Sequence, residues 1–139
     1  MGKNSSRYFV SCGMIALFIL AIVFFNSYTK SSRIETFTNS PNDCVIRMFY
    51  VNWCGHCKTT KPAFQQFMEQ NNNKQMSGKN VKIEMIDCEA SDADKQLAAQ
   101  FGVKSYPTII AQTNGKQIPF EGGDRTTAGF NNWLQSILQ

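Results

Sequence analysis

The sequence predicts an α/β domain in the order β-α-β-α-β-β-α, a central mixed sheet flanked by helices. Three observations carry that reading. Apolar, β-branched runs alternate with segments whose large apolar residues recur at helical spacing. Asn114-Gly115, between two short strand patterns, is a strong hairpin signal. The first strand pattern leads into the first helix pattern through Trp53-Cys54-Gly55-His56-Cys57-Lys58, which places two cysteines at a helix start.

Residues 44–51 form a nearly continuous apolar and β-branched run, as expected for a strand covered on both faces. From residue 57 to about 70, Phe64, Phe67 and Met68 recur at helical spacing, with Pro62 expected to kink the helix. Asn71-Asn72-Asn73 and Gly78 end it. Val81, Ile83, Met85 and Ile86 mark a second strand. Asp92 is a candidate cap for a helix that turns Leu97, Ala98 and Phe101 inward and stops at Gly102. Residues 107–111 form a third strand and 117–120 a fourth. After Gly122-Gly123, Phe130, Trp133, Leu134, Ile137 and Leu138 line one face of a last helix.

Ahead of this domain, residues 9–25 carry no charge and are interrupted only by Ser11, Cys12 and Gly13. Seventeen helical residues span about 25 Å, the short end of what crosses a bilayer. Tyr8 and Tyr28 bracket the run where interfacial rings prefer to sit. The organisation read from the sequence is a tail at 1–8, a signal-anchor at 9–26, a linker at 27–42 and the domain at 43–139. A cleaved signal peptide competes with the anchor, although Ser27-Tyr28-Thr29 makes a poor cleavage site. The charges flanking the run nearly balance, and the short tail favours tail inside and domain outside. Gly2 and Ser6 fit a myristoylation pattern, which would keep the tail cytosolic.

The formal net charge of +4 arises mostly around this run, from Lys3, Arg7, Lys30 and Arg33 against Glu35. From Asp43 onward ten Lys/Arg face nine Asp/Glu, so there is no basic footprint for nucleic acid.

The chemistry lies in the cysteine pair. Exchange of thiols with disulfides needs a thiolate, and an ordinary cysteine is mostly protonated at neutral pH. At a helix start, unpaired N–H groups and the macrodipole favour charge on Cys54. Gly55 leaves the approach to the sulfur clear. His56, when protonated, would stabilise the thiolate and make the oxidised pair easier to reduce. Cys57, within the helix, is suited to resolve a mixed disulfide. We therefore read Cys54 as nucleophile and Cys57 as resolver. Zinc is disfavoured, because four ligands are needed and the chain has one histidine and no second Cys-x-x-Cys pair. A purely structural Cys54–Cys57 bridge would constrain the unfolded chain very little. No metal or cofactor is expected.

Trp53-Cys54-Gly55-His56-Cys57-Lys58, Pro62, and Phe101-Gly102-Val103-Lys104-Ser105-Tyr106-Pro107-Thr108 together resemble a thioredoxin-like fold of the protein disulfide isomerase type. The likeness covers about residues 44–139. It implies a cis Tyr106–Pro107 bond that sets Pro107 against the cysteine pair, with Trp53, Tyr106 and Pro107 binding substrate backbone. Gly-His between the cysteines resembles the isomerase subgroup and implies a more oxidising couple. Gly123-Asp124-Arg125 with Trp133 also resembles that subgroup, where the matching arginine approaches the resolving cysteine. One departure stands out. The subgroup has a buried glutamate and a lysine partner at the positions of Met48 and Met85, and both are apolar here, so neither charge is stranded. Without that carboxylate, resolution is expected to lean on water, His56 or Arg125.

Cys12 reads as packing within the apolar segment. Cys44 and Cys88 are expected at opposite ends of neighbouring parallel strands, too far apart to bridge, and buried as thiols. In some isomerase domains the counterpart of Cys88 has a cysteine partner seven residues on, and Lys95 takes that place.

The resemblance implies a thiol–disulfide oxidoreductase, and the apolar run ahead of it would tether it to a membrane. Its partners would be cysteine-containing client proteins, a redox protein or glutathione, and the bilayer through residues 9–26. The domain would face the endoplasmic reticulum lumen or an equivalent extracytosolic side. Small virus-encoded thioredoxin-like membrane proteins look similar. A cytosol-facing reductase and a non-catalytic binding module are the alternatives, and the module is disfavoured because both cysteines and the proline are present.

Overall fold

The computed structural model describes residues 42–139. The expected tail, anchor and most of the linker lie outside them. Among the described residues no helix is long and apolar enough to cross a membrane.

Eight elements follow in order: β1 (Asp43–Tyr50), α1 (Gly55–Asn71), β2 (Lys74–Met76), β3 (Lys79–Asp87), α2 (Asp92–Gln100), β4 (Thr108–Thr113), β5 (Lys116–Pro119) and α3 (Thr127–Ile137). The strands form one mixed sheet, β2-β3-β1-β4-β5. β1 runs parallel to β3 and antiparallel to β4, so the strand that feeds the cysteine motif is central.

Alternation along β1 divides the core in two. Cys44, Ile46 and Met48 face a cluster built with Phe64 and Phe67 of α1 and Phe130 and Leu134 of α3. The rings of Phe64 and Phe130 meet edge to face at 5.3 Å, and Phe120 packs on both Phe130 and Trp133. On the opposite side, Phe49 and Val51 join Cys88, Ala98 and Ile110, with Cys54, Phe101 and Tyr106 packed against them. The thiol pair thus sits where the β1 end, α1 and the loop before β4 converge.

The structure differs from the sequence reading in four places. Residues 74–76 form an extra edge strand, β2, paired with β3 across a two-residue turn at Ser77 and Gly78, both at positive φ (48° and 77°). Three polar-rich residues carry no period of their own, and a serine at positive φ gives no turn signal. Helix α1 starts at Gly55, two residues before the expected start, with Pro62 inside it. The cap of α2 is Ser91, whose hydroxyl accepts from the Asp94 N–H at 3.1 Å; Asp92 instead enters the first turn, where a carboxylate complements the dipole. The third strand begins at Thr108 and runs to Thr113, which leaves Pro107 in the preceding loop. The Asn114-Gly115 hairpin forms as read, with φ of 52° and 71°.

The parallel register pairs Met48 with Met85. Met48 is fully buried, and Met85 packs half-buried against the same cluster. One step back along both strands, Arg47 pairs with Glu84. Arg47 is fully buried, yet its Nε donates to Glu84 Oε2 at 2.8 Å, its Nη1 reaches Gln112 Oε1 at 3.2 Å, and its guanidinium lies over the Phe101 ring. Burial pulls the Arg47 pKa below its ordinary value, and the Glu84 charge opposes this.

Candidate active site

β1 ends at Tyr50, and Val51 carries the chain out of the sheet into Asn52-Trp53-Cys54. Cys54 is the N-cap residue of α1, with extended backbone (φ −75°, ψ 121°). Its side chain does not cap the helix as the thiol. Instead Sγ donates to the Tyr106 carbonyl at 3.5 Å. Ionisation changes its partners. The Cys57 backbone N–H is the largest influence lowering the Cys54 pKa, followed by the Cys57 thiol, then the His56 N–H and the charge of Arg125.

Cys57 is fully buried beneath Cys54. Burial raises its pKa most, and the Cys54 sulfur raises it further; a Val51 backbone hydrogen bond and the charge of Lys61 pull the other way. The two thiols are thus driven apart in acidity, one toward thiolate and one toward thiol. That asymmetry is what attack by the outer sulfur and displacement by the inner one would require.

His56 is exposed, and its carbonyl accepts from both Thr59 and Thr60, fastening the first turn. Its backbone N–H helps to lower the Cys54 pKa. At Gly55 an added Cβ would meet nothing within 4 Å, so the fold tolerates a side chain there; what glycine supplies is clearance outward.

The Tyr106–Pro107 peptide is cis. Pro107 is buried, and the Tyr106 side chain lies against Cys88, with which it shares a hydrogen bond. Trp53 is 68% exposed, and its indole N–H donates to Glu89 at 2.9 Å, which fixes the ring as an open apolar ledge beside the sulfur. Arg125 is exposed on the loop before α3. A Cβ at Gly129 would collide with the Asp124 carbonyl, so glycine there lets this loop seat on the helix start. The positive charge of Arg125 lowers the Cys54 pKa.

Two residues of the site escaped the sequence reading. Lys61, one turn after Cys57, donates to Asn52 Oδ1 at 3.3 Å, and Asn52 in turn donates to Asp87. The i,i+4 spacing from Cys57 is the signal that was available.

Cys44 and Cys88 are buried thiols, as is Cys57. The register sets Cys44 opposite Val81 and Cys88 beyond Asp87, at opposite ends of the paired strands. Among the described residues no group of three or more His, Cys, Asp or Glu is arranged to hold a metal ion.

The thioredoxin family pattern matches residues 26–136. The chain belongs to the thioredoxin family. The match begins at residue 26, the last residue of the stretch read as an anchor. Among curated relatives, the chain is 32% identical over 107 residues to protein disulfide-isomerase 1 of Caenorhabditis elegans, covering 77% of this chain and 20% of that protein. It is 29% identical over 109 residues to a protein disulfide-isomerase of Ricinus communis, covering 77% and 21%. The chain therefore spans about a fifth of the length of these relatives. The solution structure of the first thioredoxin domain of mouse protein disulfide-isomerase A4 superposes with a TM-score of 0.59 at 25% identity, covering 76% of this chain and 69% of that one. The thioredoxin fold accounts for the site's layout: a central strand delivers the cysteine motif to a helix start, and the loop before β4 brings the proline alongside.

Proposed function

We propose that this protein is a thiol–disulfide oxidoreductase of the protein disulfide isomerase type, acting on cysteine-containing client proteins. The observation that carries the reading is the opposed acidity of the pair: Cys54 is favoured as thiolate at the helix start while Cys57 is buried as thiol beneath it. In the reaction, the Cys54 thiolate attacks a client disulfide, and one client sulfur leaves as thiolate and takes up a proton. The mixed disulfide holds the client beside Pro107, Tyr106 and Trp53. Cys57 then loses its proton and attacks Cys54, forming the intramolecular disulfide and releasing the second client thiol. Run backward, the same steps oxidise a client dithiol.

Arg125, and His56 when protonated, supply positive charge near the thiolate, and Gly55 keeps the approach open. A redox protein or glutathione resets the pair. Residues 9–26 anchor the chain in a bilayer, with the domain in the endoplasmic reticulum lumen or an equivalent extracytosolic compartment; protease protection in sealed membranes tests that placement.

The central test is Cys57→Ser. With the resolver gone and the fold intact, disulfide-linked client adducts should accumulate on Cys54 and vanish in Cys54→Ser. An absence of adducts would overturn the enzymatic reading and leave a binding module.

A further inference from the structure

Resolution of the mixed disulfide requires a thiolate at Cys57, the most protected sulfur of the pair. The strand position below the pair holds Met48, buried and paired with Met85, so no carboxylate stands there to take its proton or polarise it. The Cys54 sulfur, the Val51 backbone and the Lys61 ammonium all act on Cys57, and Tyr106 in turn senses the Cys57 charge.

Lys61 is not a loose surface charge. It is half-buried one helical turn from Cys57, on the same side of α1. Its Nζ lies 4.0 Å from the centre of the Tyr50 ring and donates to Asn52 Oδ1 at 3.3 Å. The Asn52 amide is itself oriented, because its Nδ2 donates to the Asp87 carboxylate. The chain Lys61–Asn52–Asp87 therefore runs cation, dipole, anion, with the amide aligned between the charges. Tyr50 and Asp87 are register partners at the ends of β1 and β3, so the sheet fixes both supports.

We propose that Lys61, seated by Asn52 and Tyr50, is the cation that stabilises the Cys57 thiolate while it attacks Cys54. Lys61 and Asn52 act through Cys57 and are positioning residues. The inference rests on the exchange reading above. The step is balanced without any added oxidant: the Cys57–Cys54 bond forms, the bond from Cys54 to the client sulfur breaks, and the client thiolate accepts a proton from solvent.

The expected effect follows from two opposed trends. An opposite charge within about 4–6 Å of a thiol raises its thiolate population by about tenfold. A less acidic thiol is, however, a stronger nucleophile once ionised, with a Brønsted slope of about 0.5, which returns roughly threefold. Lys61→Met should therefore slow resolution by about threefold at pH 7, and resolve faster than the parent at a pH above both ionisations. The two pH–rate profiles cross.

The experiment mixes the reduced full chain with oxidised glutathione, quenches in acid, and follows formation and decay of the glutathione mixed disulfide by mass across pH. Lys61→Met and Asn52→Ala should both shift the decay profile to higher pH, and Lys61→Arg should restore it. Superimposed decay profiles for parent and Lys61→Met would overturn the inference while the exchange reading stands. A uniform loss of rate at every pH, unrescued by arginine, would also overturn it, since that is what a structural role predicts. Failure of the parent chain to form any mixed disulfide at Cys54 would sink the exchange reading and this inference together.

Discussion

The two faces of β1 treat charge in opposite ways. The face toward α1 and α3 is dry: Ile46, Met48, Phe64, Phe67 and Phe130 meet there without a charged side chain. The face toward α2 buries Arg47 completely and pairs it with Glu84 and Gln112 at the foot of Phe101. One residue step separates Met48↔Met85 from Arg47↔Glu84 in the same parallel register. A side-chain period of two sends them to opposite sides of the sheet. The cysteine motif lies at the end of this strand and at the start of the helix that covers the dry face, so the strand residues of that face bring no charge to Cys57. The contrast says that the ion pair in this sheet stands away from the resolving thiol.

The largest effect should come from emptying the dry face. Phe130 touches Phe64, Phe67 and Phe120, and Phe130→Ala leaves a cavity that rigid strands cannot close. Chemical denaturation should show a loss of about 3–5 kcal/mol. A loss below 1 kcal/mol would mean that the aromatic cluster is loosely packed. On the other face, Glu84→Leu should cost on the order of 3 kcal/mol by removing a buried guanidinium's ionic partner. Adding Arg47→Met should recover most of that loss, because a matched apolar pair strands no charge. If the double variant is no more stable than Glu84→Leu alone, the pair matters for packing and not for charge.

Much of the contrast was legible in the sequence. The same offset that aligns Met48 with Met85 aligns Arg47 with Glu84, so the buried ion pair was implicit in a register already inferred. What hid it was the strand's overall character: a single arginine in a run of apolar residues reads as a tolerated interruption. The cysteine pair and the loop proline were plain because their chemistry fixes spacing within a short stretch. β2 was not, since Lys74-Gln75-Met76 becomes a strand only by pairing with β3. Asn52 and Lys61 were likewise invisible as a unit, because neither is unusual alone and Asp87, which completes their arrangement, is contributed by a distant strand.

Placing charge on the dry face sharpens the comparison kinetically. Met48→Glu with Met85→Lys installs an ion pair below Cys57 at register neighbours. In a correctly folded double variant, decay of the mixed disulfide should accelerate by about tenfold at pH 7, since a general base contributes at least that when within reach. Met48→Glu alone should be strongly destabilised, because its carboxylate is buried without a partner. No acceleration in the folded double variant would show that proton removal from Cys57 does not limit resolution.

The smallest effect separates the faces by their thiols. Cys44 belongs to the dry cluster and Cys88 to the one beside Phe49 and Ala98. Burial raises the pKa of both; the Lys79 charge and Thr113 oppose this at Cys44, while Tyr106 and the Tyr50 backbone oppose it at Cys88. A thiol whose folded pKa lies above its unfolded one stabilises the fold fully below the unfolded value, near 8.5. That contribution is lost as pH rises toward the folded value, by up to about 1.4 kcal/mol per pH unit for each thiol. Cys54 has the opposite sign: its depressed value adds stability above the unfolded pKa and loses it as pH falls through the folded one. Comparing the reduced parent with Cys44→Ala and Cys88→Ala from pH 7 to 10 cancels the shared groups. Each variant should lose stability less steeply than the parent above about pH 8.5, and the larger difference marks the face that excludes a thiolate more strongly. Identical slopes in all three proteins would mean that neither thiol is held neutral by its surroundings.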